Sequence, residues 1–238
     1  MTYLSFVQKE LEREYQNFFK FLGIDDKTGC TNKSDNLKFP TYPYIGTSYG
    51  SVKKLLFIGL DIGMDESSNI QTFDDRRLGI EFACPSKANP HIAGTYITAL
   101  HFLKDEDTSW NAHWDKIKNS NTSQRALREY ELLQKNPLSY IALTNYYKFV
   151  DKKRMVRSGG QNRKYVNKEA ENRLFLNEVK ILCPDTVIFQ SRQFRYNKDL
   201  LDRLSSIVKS IYVGPHPSYR GKKEPAYFVS LIQDPYEL

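Results

Sequence analysis

Residues 54–59 read Lys-Leu-Leu-Phe-Ile-Gly, a short unbroken apolar run closed by a glycine. A strand with one wet face would alternate apolar with polar residues. An unbroken run of this length instead marks a strand buried on both faces, as in a parallel sheet covered by helices. Parallel neighbours can be joined only by long crossovers, so the rest of the chain has to supply strands alternating with helices. Further strand-like runs follow at 138–143, 186–189 and 210–213. Between and around them, helical spacing of apolar residues predicts helices over about 94–104, 122–135, 168–182, 197–207 and 225–232. Leu4, Val7, Leu11, Tyr15, Phe18 and Leu22 recur every three or four residues, which predicts an N-terminal helix over 3–22 that Gly23 ends. Residues 24–52, punctuated by Pro40, Pro43, Gly46 and Gly50, read as irregular, and 62–92 as mostly loop. The expected fold is α/β: three layers, α/β/α, around a central, mostly parallel four-stranded sheet.

A chain of 238 residues with 40% hydrophobic composition is long enough to bury a substantial core and is read as one domain over 1–238, its core at about 53–232. No stretch approaches the roughly 20 apolar residues of a membrane helix, and the N-terminus alternates charge with apolar residues, so a cytoplasmic monomer with no membrane partner is expected. Cys30, Cys84 and Cys183 are odd in number and far apart. They match neither a disulfide framework nor a structural zinc site, and no metal or cofactor is expected. The net charge is +7, and residues 151–168 concentrate Lys152, Lys153, Arg154, Arg157, Arg163, Lys164 and Lys168 against the single acid Asp151. Such a cluster suits a polyanion, and a solvated basic loop is the plainer alternative.

In parallel α/β sheets the ligand crevice lies beyond the carboxyl ends of the strands. Asp61, Asn145 and His216 each follow a predicted strand by a few residues, so all three belong at that rim. Singly, each has an ordinary explanation. An aspartate between glycines often shapes a turn, a strand-end asparagine often bonds its own backbone, and a histidine between prolines can fill a rigid loop.

Together they resemble the uracil-DNA glycosylase superfamily. Gly59-Leu60-Asp61-Ile62-Gly63 resembles its first motif, Gly214-Pro215-His216-Pro217-Ser218 resembles its His-Pro-Ser loop, and residues 140–148 resemble the strand that ends in a base-reading asparagine. The resemblance runs in order from residue 54 to 220 and implies a uracil-DNA glycosylase-like domain. It implies a monofunctional, cofactor-free enzyme that flips a pyrimidine out of DNA and hydrolyses its N-glycosidic bond, leaving an abasic site. Asp61 would orient or activate water and stabilise the cationic sugar, and His216 would donate to the leaving base. Gly59, Leu60, Ile62 and Gly63 would line the turn against the substrate, with Ser218 beside it. Asn145 would read the base edge, and Phe82, or failing it Phe73, would stack on it. Arg220 would fill the vacated stack, while Lys148, Lys152, Lys153, Arg154, Tyr219 and Lys222 would hold DNA phosphates.

Two departures bear on substrate. Ile62 stands where the pattern has proline, and Gly63 stands where strict uracil enzymes carry a tyrosine beside carbon five of the base. With only a hydrogen there, a 5-substituted pyrimidine fits, including the hypermodified cytosines of some phages; removing them would be an anti-phage defence. The iron-sulfur members of the superfamily use four cysteines, and this chain has three. Two alternatives stay open. One is a non-catalytic DNA lesion-binding module. The other is a nucleotide-binding α/β protein, which leaves the His-Pro-Ser loop unexplained.

Overall fold

The computed structural model describes residues 3–60, 67–81, 89–104, 136–152 and 165–217. The predicted helices at 122–135 and 225–232 lie outside them. The strands are β1 (Cys30–Thr31), β2 (Ser34–Lys38), β3 (Tyr44–Ile45), β4 (Leu55–Gly59), β5 (Ile141–Asn145), β6 (Val150–Asp151), β7 (Thr186–Phe189) and β8 (Ser210–Val213). The α-helices are α1 (Tyr3–Leu22), α2 (Phe73–Glu81), α3 (Pro90–Lys104), α4 (Lys168–Leu182) and α5 (Lys198–Ser205).

Five strands form the main sheet in the order β3-β5-β4-β7-β8. The four expected strands are adjacent and mutually parallel, and β3 adds an antiparallel edge against β5 that the proline-rich reading of 24–52 missed. β1, β2 and β6 make a second, antiparallel sheet. The chain is thus α/β with mixed sheets.

Side chains alternate across the main sheet as a strand must alternate them. Leu56 and Ile58 of β4 face one core with Ala142, Val187, Phe189 and Ile211, covered by α1, α4 and α5. Leu55 and Phe57 face the other with Ile141, Leu143 and Ile188, covered chiefly by α3. All five residues of β4 are buried, which is why no polar residue interrupts the run.

Local capping explains where the structure departs from the periodicity. Residues 62–92 are not all loop: Thr72 and Asp75 cap each other, Asp75 N donating to Thr72 Oγ1 at 3.2 Å and Thr72 N to Asp75 Oδ2 at 2.9 Å, and this box starts α2. Helix α3 starts at Pro90 rather than near 94, because Asn89 accepts from Ile92 N ahead of a proline at the first helical position. Residues 137–140 are a 3-10 turn capped by Asn136, so β5 begins at Ile141 and Asn145 is its last residue.

Candidate active site

The parallel strands all end on one rim, and backbone pairing extends past their formal ends. Tyr146 N donates to Gly59 O at 2.9 Å and Tyr147 N to Leu60 O at 2.8 Å. The chain leading into Asp61 is therefore held beside the chain leaving Asn145. Gly59 and Asn145 are register partners. A Cβ on Gly59 would lie 2.7 Å from Asn145 Oδ1, so the missing side chain is what lets the carboxamide lie across the end of β4.

On the other flank, Gly214 N donates to Phe189 O at 2.9 Å and carries the chain into the His216 loop. That loop rests on α3: a Cβ on Gly94 would come within 2.9 Å of Pro217 Cβ. His216 is exposed, and its ring centroid lies 5.4 Å from that of His91, near the start of α3. Burial first, then the neighbouring His216 and the Arg76 guanidinium, hold His91 at about 4 and so neutral at physiological pH.

A recess of about 10 Å³ beside Asn145, the room of one water, is lined by Tyr42, Arg76, Tyr147 and Lys148, with Thr41 and Thr144. Burial pulls Arg76 down to about 10. Tyr147 also lines a larger groove of about 510 Å³, with Leu60, Tyr165, Lys168, Tyr196 and Arg203. Rings and cations in one groove are the composition that holds single-stranded nucleic acid.

Two expected roles are corrected. Lys148 is no surface phosphate contact: it is 4% exposed, beside a fully buried Glu178. Its Nζ donates to Glu178 Oε2, to Asn145 O at 2.7 Å and to Thr144 Oγ1 at 3.2 Å, which uses all three of its hydrogens. Burial pushes Lys148 down and Glu178 up, and with the proton on either partner the pair stays net neutral. Lys148 thus holds the strand end that carries Asn145. Phe73 is no free platform for a base: it is buried and stacked on Tyr42, ring centroids 4.9 Å apart. Tyr42 and Tyr147 are the rings that reach the recess.

Lys152 is partly exposed at the end of β6, where its N–H bonds Asn36 O. Asp61, Ile62, Gly63, Phe82, Lys153, Arg154, Ser218, Tyr219, Arg220 and Lys222 lie outside the described residues. The rim residues that periodicity missed are Arg76 and His91. The Thr72–Asp75 box and the Asn89–Pro90 start were the sequence signals for the helices that carry them. Among the described residues, no helix is long and apolar enough to cross a membrane. Compared with protein-family models, curated proteins and solved structures, the chain matches none.

Proposed function

We propose that the protein is a DNA glycosylase that extrudes uracil or a 5-substituted pyrimidine from DNA and hydrolyses its N-glycosidic bond, and we assign its main sheet to a uracil-DNA glycosylase-like domain. The observation that carries this reading is the common rim. Asn145, the His216 loop and the turn that leads into Asp61 all leave parallel strands of one sheet at the same end, β5 beside β4 and β8 one strand beyond it across β7. A carboxylate and a hydrogen-bond donor on opposite sides of one nucleoside address the two charges that develop as the bond breaks.

In this reading Asn145 presents its carboxamide to the edge of the extruded base, fixed by Lys148 on its carbonyl and by the open space at Gly59. Tyr42, backed by Phe73, or Tyr147 supplies the stacking ring. Asp61 positions the water, and His216 donates to a base oxygen. The groove with Tyr165, Lys168, Tyr196 and Arg203 carries the flanking strand. Gly63 leaves room at carbon five, which admits modified pyrimidines and makes foreign DNA a target as well as damaged genomic DNA.

The test is base release. Incubation with DNAs containing uracil, 5-substituted pyrimidines or phage-type modified cytosines should yield a free base identifiable by mass spectrometry, together with alkali-cleavable sites. Asp61→Ala should cut the rate by about 10²–10⁴-fold while leaving DNA affinity nearly unchanged. Absence of release from every substrate would remove the enzyme reading, and full activity of Asp61→Ala would remove the catalytic assignment.

A further inference from the structure

The groove that Leu60 and Tyr147 open at the rim continues along the helical face. A second hollow of about 630 Å³ adjoins it, and the two share Lys168, Asn172, Leu176 and Arg203. Lys168, Asn172, Leu176 and Lys180 stand four residues apart on α4, so they form one stripe along the helix, about 18 Å long at roughly 1.5 Å per residue. Arg203 of α5 lines both hollows. The joined channel begins where the chain leads into Asp61 and runs away from the rim toward the C-terminal end of α4.

Lys168, Arg173, Lys180 and Arg203 line the channel against the acids Glu169 and Asp199. Asp199 meets Arg203 at 3.2 Å, but both side chains are more than half exposed, so that pair contributes little. No carboxylate among the described residues pairs with Lys168 or Lys180. The rings gather at the rim end. Tyr165 stands 5.4 Å from Tyr147, ring centre to ring centre, and Tyr196 is 87% exposed. Buried Tyr146 has a structural task instead: its hydroxyl donates to Asn172 Oδ1 at 3.1 Å and accepts from Asn197 Nδ2 at 3.4 Å, which ties α4 to the start of α5. Rings in water and neighbouring like charges are both relieved by a partner that offers flat faces and evenly spaced negative charge. A single nucleic-acid strand offers both, whereas a duplex turns its base faces onto one another.

We infer that this channel is the path of single-stranded DNA, and that single strands rather than duplexes are the substrate class of the rim site. That the strand is DNA and delivers a target base rests on the glycosylase reading; that the channel takes a single strand does not. Phosphates follow Lys168, Arg203 and Lys180, while bases stack on Tyr196 and on the Tyr147–Tyr165 pair. At roughly 3.4 Å per stacked nucleotide, and more when the strand is extended, the α4 stripe takes on the order of three to five nucleotides. A target base that is already unpaired reaches the rim without the unpairing cost that a duplex imposes.

The test uses the full-length protein and unmodified oligonucleotides of about 12 nucleotides, long enough to fill such a site, so that it reads the channel apart from the chemistry. Fluorescence anisotropy follows one sequence as single-stranded DNA, as its duplex and as single-stranded RNA over a series of salt concentrations. The unaltered protein should hold the single DNA strand more tightly than the duplex by about 5–100-fold, the worth of one base on a ring. Tyr196→Ala should lose a similar factor on the single strand with its salt dependence unchanged, and Tyr196→Phe, which keeps the ring, should bind as the parent does. Lys168→Gln with Lys180→Gln should lower the slope of log affinity against log salt by about 1.4, roughly 0.7 for each phosphate contact removed, and keep the preference for single strands. All three positions are exposed, so thermal unfolding should match the parent's. Duplex held as tightly as the single strand, or Tyr196→Ala binding like the parent, overturns the channel and leaves a solvated basic helix face. RNA held more tightly than DNA overturns the assignment to DNA. Release of uracil from single strands that ignores these substitutions overturns the channel while the glycosylase reading stands. Tyr196-dependent binding of single strands without release from any DNA leaves the channel standing and overturns the reaction.

Discussion

Lys148→Met separates the buried arrangement of this lysine from the surface role its sequence context suggests. Methionine keeps the unbranched length but strands Glu178, whose side chain is fully buried and whose Oε1 already lacks a partner among the described residues. Removing one member of a buried pair typically costs about 3–5 kcal/mol, which in a domain of this size lowers Tm by about 6–20 °C. The loss has a pH signature. In the variant, burial holds the folded-state pKa of Glu178 above its unfolded value, so the penalty is greatest at neutral pH. It fades as the pH falls and the carboxyl takes a proton. Lys148→Met with Glu178→Gln should recover most of the lost stability, because no charge is then left behind. Thermal unfolding of the two variants across pH 5 to 8 reads all of this. A Lys148→Met protein that unfolds with the parent and only binds DNA more weakly would refute the buried pair and restore the phosphate contact.

Three further substitutions probe the rim. Gly59→Ala places a methyl group 2.7 Å from Asn145 Oδ1, the movable end of a side chain, so Tm should change by only a few degrees while base release falls; a variant with full activity would show that the carboxamide position is unimportant. Gly94→Ala gains about 1 kcal/mol of helix propensity but presses on the Pro217 ring, and should displace the His216 loop, reducing release without destabilising the protein. A Gly94→Ala protein that has parental activity would dissociate that loop from the chemistry. For His91, a folded-state pKa of about 4 lies below the unfolded value, so the unfolded chain binds the extra proton and stability drops as pH falls through about 6.5 toward 4. The drop amounts to at most about 3 kcal/mol, and His91→Asn should flatten the curve of Tm against pH in that window.

The corrections share a cause. Residues 151–168 are rich in Lys and Arg, and Lys148 looks from its sequence neighbourhood like the start of that basic surface. What buries it is Glu178, thirty positions away on α4, brought opposite β5 by a crossover that local pattern does not encode. Phe73 likewise reads as a ring in a loop until the Thr72–Asp75 box makes it the first residue of a helix whose inward face meets Tyr42. Helices α1 and α4 were legible because each carries a long amphipathic stripe with a clear terminus, whereas α2 has a weak stripe and is specified by its cap.

By itself the sequence determined the strands and their kind. A segment buried on both faces is apolar throughout, so β4 announces a parallel sheet before any neighbour is known, and the apolar centres of β5 and β7 agree, while β8, at the partly exposed edge, is marked by its position before the last loop. It also set Asn145 at a strand end and His216 just past one, since that is a matter of position along the chain. Only the tertiary structure decided which side chains share a recess. Arg76 and Asn145, from separate stretches, line one small recess, and His91 and His216, from two others, face each other because α3 packs against the last loop. Burial, which removes Lys148 from the surface and leaves Arg76 without a counter-ion among the described residues, is likewise a property of the packed whole. Desolvation has no local signature in a sequence.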